Sequence, residues 1–96
     1  MKYIINADCY LVDNDGNISN LTNPTFDVNF GSSTDASLIK TEIKKRLVAT
    51  FPYIKIKESL KNREDKEVAG AVSENSLYYE LYVGKTGTEV IKDKTK

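Results

Sequence analysis

Apolar and polar residues alternate from Lys2 to Val12. Tyr3, Ile5, Ala7, Cys9 and Leu11 fall on one side, and Ile4, Asn6, Asp8, Tyr10 and Val12 on the other. A period of two predicts a β-strand with two unlike faces. Asn14-Asp15-Gly16-Asn17 follows, and Asp-Gly predicts a two-residue hairpin with positive φ at both positions. The return strand runs through Ile18 to Leu21. Asn23-Pro24 interrupts it, and Phe26, Val28 and Phe30 then alternate with Asp27 and Asn29 in a further strand.

The period changes after Gly31-Ser32-Ser33-Thr34-Asp35. This cluster offers N-caps, Thr34 or Ser33 first, with Asp35 placed well against the helix dipole. Ala36, Ile39, Ile43 and Leu47 lie on one stripe at helical spacing, which predicts a helix over about residues 34–50. Pro52 disfavours a helical Phe51, so the helix stops near Thr50. Tyr53 to Lys57 alternates again, with Ile54 and Ile56 opposite Tyr53, Lys55 and Lys57. Ser59 to Glu67 is polar and reads as a loop, and Val68 to Val72 as a short strand weakened by Gly and Ala. Ser73 to Ser76 reads as a turn. Leu77, Tyr79, Leu81 and Val83 alternate with Tyr78, Glu80 and Tyr82 in the clearest late strand. Lys85-Thr86-Gly87-Thr88 predicts a second hairpin, returning through Val90 and Ile91.

The fold class that follows is α+β: a mostly antiparallel sheet of about five strands with a single amphipathic helix on one face. The helix stripe is expected on the face carrying Ile54, Ile56, Leu77, Leu81 and Val83. With no linker or internal repeat, residues 1–92 read as one domain and 93–96 as a frayed tail.

Composition narrows the chemistry. The 96 residues include no histidine, no tryptophan and one cysteine, with 14 basic and 14 acidic side chains. Without histidine, the usual neutral-pH proton shuttle and the commonest zinc ligand are missing. Ser-His-Asp and Cys-His nucleophile systems are excluded in their ordinary form. Cys9 alone makes neither an internal disulfide nor a multi-cysteine metal site, and it fits a reducing compartment. No apolar run reaches membrane-spanning length, and the start lacks a signal-peptide core. A cytoplasmic protein is expected, and Asn17-Ile18-Ser19 and Asn20-Leu21-Thr22 read as chance sequons. Abundant Lys, Asn, Ile and Tyr suggests an AT-rich coding genome.

Three motif-like stretches fail on inspection. Gly84-Lys85-Thr86 resembles the end of a phosphate-binding loop, but that loop needs a glycine where Tyr79 stands. Asp13-Asn14-Asp15-Gly16-Asn17 resembles a calcium loop, but counting from Asp13 puts Ile18 where glycine belongs and Pro24 where glutamate belongs. Asp8 and Glu80 on neighbouring strands suggest carboxylate catalysis, yet so small a domain has little material for a cleft. Cys9, among apolar strand residues, reads as a buried and inert thiol. No catalytic residue, cofactor or metal is expected.

The face opposite the helix carries more information. Tyr10, Tyr53, Tyr78 and Tyr82 are expected there with Asn6, Asp8, Lys55, Lys57 and Glu80. Tyrosines beside lysines on an open sheet suit a protein contact, where Tyr is enriched, or stacking of nucleic-acid bases. They also serve simply to clothe a half-solvated sheet. Charge is uneven along the chain: residues 1–37 carry a net −4, residues 38–63 a net +6 and residues 64–96 a net −2. Lys40, Lys44, Lys45, Arg46, Lys55, Lys57, Lys61 and Arg63 form a basic band suited to an anionic partner, unless the acidic hairpin lies near enough to neutralise it.

The sequence therefore points to a small, non-enzymatic, intracellular interaction module. An accessory or inhibitor protein of a phage or mobile element, binding a host protein through Tyr10, Tyr53, Lys55, Lys57, Tyr78 and Tyr82, fits that description. The alternatives are a nucleic-acid-binding protein using the same tyrosines for stacking and Lys40, Lys44, Lys45, Lys55 and Lys57 for phosphates, with Lys40, Lys44, Lys45 and Arg46 as the candidate anion-binding band, and an assembly subunit that pairs by an edge strand. A carboxylate-only enzyme ranks last.

Overall fold

β1 (Lys2–Val12) forms where the alternation is longest, and it lies near the middle of the sheet. The computed structural model describes residues 2–31, 34–47, 54–86 and 88–92. Two short antiparallel strands share one flank of β1. β2 (Ile18–Thr22) pairs with Cys9 to Val12, and β3 (Thr25–Asn29) pairs with Lys2 to Asn6. Pro24 sits at the break between them, where its missing N–H costs the ladder nothing and its carbonyl accepts Ala7 N–H at 2.9 Å. On the other flank lies β7 (Ser76–Gly84), parallel to β1 from Ile4 opposite Ser76 to Val12 opposite Gly84. β5 (Ile54–Lys61) closes that side, antiparallel to β7.

The sheet is thus mixed rather than mostly antiparallel, because its two long central strands run the same way. Sequence-adjacent hairpin logic misses this. The chain leaves β1–β3, forms the helix and β5, and returns as β7 beside β1, a long-range pairing with no local signal. A separate two-stranded ladder joins β4 (Thr34–Asp35) to β6 (Ala71–Val72).

α1 (Ala36–Leu47) is the helix among the described residues; residues 48–50, into which it was expected to run, lie outside them. Its cap is Asp35 rather than Thr34, and Ser33, the other expected cap, lies outside the described residues. The Asp35 carboxylate accepts the backbone N–H of Ser37 at 2.9 Å, while Thr34 is drawn into the β4 ladder. Ala36, Ile39, Ile43 and Leu47 are buried, as their spacing predicts. They share one core with Tyr3, Ile5, Ala7, Cys9, Leu60, Leu77, Tyr79, Leu81 and Val83. Tyr79 keeps its hydroxyl satisfied in that core by donating to the Glu58 carboxylate. Lys44 then pairs with Glu58 at 3.1 Å.

The β1–β2 connection differs in detail from the expected two-residue turn. Gly16 has φ +80°, while Asp15 stays out of the left-handed region. Gly16 N–H bonds the Asp13 carbonyl at 3.0 Å, and Asp13 Oδ1 accepts N–H groups from Asp15 and Asn17. This is a turn followed by one left-handed glycine, stabilised by its leading aspartate.

Three further expectations are corrected. Ser59 to Lys61 belong to β5, with Ser59 and Leu60 buried, so the polar stretch after Glu58 is not all loop. Of Val68 to Val72, only Ala71 and Val72 form a strand. Residues 88–92 do not return as a strand after β7. No helix among the described residues is long and apolar enough to cross a membrane.

Candidate interaction face

Alternation fixes which side chains leave the sheet away from α1. Ile4, Asn6, Asp8, Tyr10 and Val12 do so from β1, and Tyr78, Glu80, Tyr82 and Gly84 from β7. The β5–β7 register puts Lys57 opposite Tyr82, Ser59 opposite Glu80 and Lys61 opposite Tyr78, so these three share the outer face. Tyr10, Lys57, Tyr78 and Tyr82 are thus brought together as the sequence predicts. Tyr53 lies outside the described residues. Lys55 stands opposite Val83 rather than Tyr82, because the register shifts between Lys55 and Lys57.

The face is less open than expected. Tyr82 is only 3% exposed. It stacks on Tyr10 with ring centroids 4.9 Å apart, and Lys57 Nζ stands 5.8 Å from the Tyr82 ring centroid. Its hydroxyl donates to Glu80 Oε2 at 3.2 Å. Glu80 is itself buried and receives the Lys61 ammonium at 2.7 Å. Lys61 is held protonated beyond its ordinary range, first by its hydrogen bond to Glu80 and against the cost of desolvation. Burying this carboxylate is tolerable because it is paired and hydrogen-bonded.

Tyr78 differs from Tyr82 in being 39% exposed. It borders an open cleft of about 310 Å³ with Asp8, Lys61, Asn62, Arg63, Asp65 and Glu80. The loop at its rim is tightly built, since Asn62 Oδ1 accepts the N–H groups of Glu64 and Lys66 at 2.9 and 3.1 Å. Asp65 completes it at φ +62°. Asp8 is tied to Asn23 at 2.7 Å, and Lys61 also reaches Asp65 at 3.4 Å. Cationic and anionic groups are interleaved throughout. Asn62 and Asp65 were not among the predicted site residues, and Ser59 and Lys61 were given to a loop. Continued alternation of Lys57, Ser59 and Lys61 about the apolar Leu60 was the available signal.

The predicted anion-binding band is partly neutralised within the fold. Lys44 pairs with Glu58, and Arg46 with Glu42 at 3.3 Å. Arg46 also lies over Phe26, 5.8 Å from its ring centroid. Lys40 and Lys45 carry no ion pair among the described residues. The acidic N-terminal strands do not supply this neutralisation: β2 and β3 flank β1 on the side away from β5. Lys44 and Arg46 find their acids on β5 and on α1 itself.

Cys9 is buried on the helix-facing side, and burial first, then the neighbouring Asp8 charge, pushes its thiol up to about 11. Among the described residues no group of three or more Cys, Asp or Glu is placed to hold a metal ion. A scan against protein-family models, a search of curated proteins and a search of solved structures each returned no match to this chain.

Proposed function

We propose that this chain is a small, non-enzymatic interaction module of a reducing compartment that binds another protein through the outer sheet face. Tyr78 and its cleft form the centre of the contact. The observation that carries this reading is the half-exposed Tyr78 at the rim of a cleft lined by both signs of charge. Tyrosine at the edge of a partly desolvated hollow is the residue type that anchors protein contacts, and interleaved charges select a partner by pattern rather than by total charge.

Two features weigh against nucleic acid. Tyr82 is consumed by its stack on Tyr10 and has little surface left for a base. Lys44, Arg46 and Lys61 are each beside a carboxylate, so phosphate would have to displace acids already bound.

Capture from the native source at two salt concentrations, with and without nuclease, tests the reading. One protein should be retained after nuclease treatment by the wild type and lost with Tyr78→Ala and Arg63→Ala, both of which should stay folded. Retention of nucleic acid with a steep salt dependence would replace this reading by the nucleic-acid one.

A further inference from the structure

Residues 88–92 follow the bend at Lys85 and Thr86 without joining the sheet, and Glu89 and Val90 lie against Gly84 and Gly16. Two glycines seat them. A Cβ on Gly84 would collide with the Glu89 carboxylate, and a Cβ on Gly16 would collide with the Val90 carbonyl oxygen. Gly84 pairs with Val12 in the parallel register, and Val12 has no exposed surface. Glu89 is buried to 6% exposure while its neighbour Val90 is 71% exposed, so the segment lies flat with one side down.

The fastening is poor. Glu89 Oε1 accepts the Thr86 N–H at 2.9 Å and the Thr86 hydroxyl at 3.2 Å, bonds that hold the bend and not the sheet. Its other oxygen is buried with no hydrogen-bond partner. Among the described residues, the hydrogen bond from this segment to the body is Lys92 Nζ donating to Asn17 Oδ1 at 3.4 Å. A cavity of about 230 Å³, lined in part by Leu11, Val12, Thr86 and Glu89, remains beside it. An unpaired buried carboxylate oxygen and a void both subtract from the gain of docking. A segment with few bonds to the body opens locally while the ladders stay closed.

We infer that residues 88–92 are a releasable strap covering the Val12–Gly84 end of the outer face, and that its release lengthens the surface offered to a partner. The regulatory half of this rests on the outer face being the contact surface. The release itself does not.

Limited trypsin digestion of the full chain tests it, with Gly84→Ala and Glu89→Ala as variants. Gly84 does not occupy the left-handed region, so alanine fits its backbone and the added methyl acts on Glu89 and the flexible end of Ile56. Glu89→Ala removes the seated carboxylate and leaves Gly84 as it is. Cleavage after Lys85 should accelerate roughly tenfold in both variants, while cleavage after Lys57 and Lys61 in β5 keeps the wild-type rate. Binding of the dye ANS should rise in parallel as Val12 is uncovered. An unchanged Lys85 rate in both variants, or a rise only together with the β5 sites, would overturn the strap. Selective release without a gain in ANS fluorescence would overturn its covering role. Failure of the Tyr78-dependent capture alongside selective release would sink the contact-face reading and leave the strap standing.

Discussion

Tyr10 and Tyr82 stack on adjacent strands that run in the same direction, their ring centroids 4.9 Å apart and their planes 22° from parallel. In the parallel register they are direct partners, and the stack makes each ring a wall of the other's pocket. The outer-face tyrosines therefore divide into packing and surface groups. Tyr82→Ala should cost about 3–5 kcal/mol, the range for truncating a buried aromatic ring. Tyr78→Ala should cost no more than about 1 kcal/mol, since its ring is already half in water. Urea denaturation of the two variants checks this, and equal losses would show that the division is wrong.

Lys61 and Glu80 predict a second contrast. Lys61→Met keeps the aliphatic stem and removes the ammonium 2.7 Å from a buried carboxylate. The loss should be about 1–3 kcal/mol, because a buried carboxylate loses its ammonium partner. Lys57→Met removes a cation near the Tyr82 ring and should cost about 0.5–1 kcal/mol. The sign of the pH dependence follows from the raised pKa of Lys61. Its contribution is fully present below the ordinary lysine value of 10.5 and is lost as pH rises through the higher folded value. Denaturant midpoints for both variants at pH 7 provide the comparison.

These contrasts mark what was legible in the chain. Local periodicity placed β1, β3, β7 and the buried stripe of α1, because each carries its own amphipathic pattern, whereas the largely exposed β2 was legible only as the return of the Asp-Gly hairpin. The parallel β1–β7 pairing was not legible, since nothing local encodes a partner some seventy residues away. Asp35 took the cap because Thr34 was claimed by Val72 across the β4–β6 ladder, a tertiary pairing that overrides cap preference. Of the outer face, the grouping of Tyr10, Lys57, Tyr78 and Tyr82 was readable from alternation. The burial of Tyr82 was not, because it arises from side chains on β1 and β5 meeting over β7. The strap was misread as a strand because Val90 and Ile91 suit one by composition, although neither joins the ladder.

Cys9 supplies a chemical prediction. Its thiol is pushed up to about 11, first by burial and then by Asp8. At pH 8 the native protein should react with a thiol-disulfide reagent such as DTNB only as fast as it opens, and at full speed in urea. Because the folded value lies above the ordinary 9.0, this group's contribution to stability is complete below pH 9 and is lost as pH rises from 9 to about 11. Tyr79 is shifted upward as well, chiefly by burial, so alkaline loss of stability should continue past the cysteine step. Fast DTNB reaction in the native state at pH 8 would show that Cys9 is accessible and the reading wrong.

Glu89 predicts the opposite end of the pH range. Its carboxyl is held below the ordinary 4.5, chiefly by the Thr86 backbone N–H that bonds it. A lowered folded pKa means that the contribution is present above 4.5 and is lost as pH falls through the folded value. Asp13 lines the same cavity and is also lowered, by the Asn17 backbone N–H first, while Lys85 borders that cavity and Lys92 reaches Asn17. Both carboxyls thus titrate near the strap, and Glu89→Gln separates them by removing one titration while keeping an acceptor. Backbone amide dynamics by NMR between pH 6 and pH 3 should show residues 88–92 loosening in the wild type, with β1 and β7 unchanged. In Glu89→Gln the same residues should be looser at pH 6 and show no further acid step. An acid step that survives Glu89→Gln would assign the latch to Asp13 and the β1–β2 turn instead.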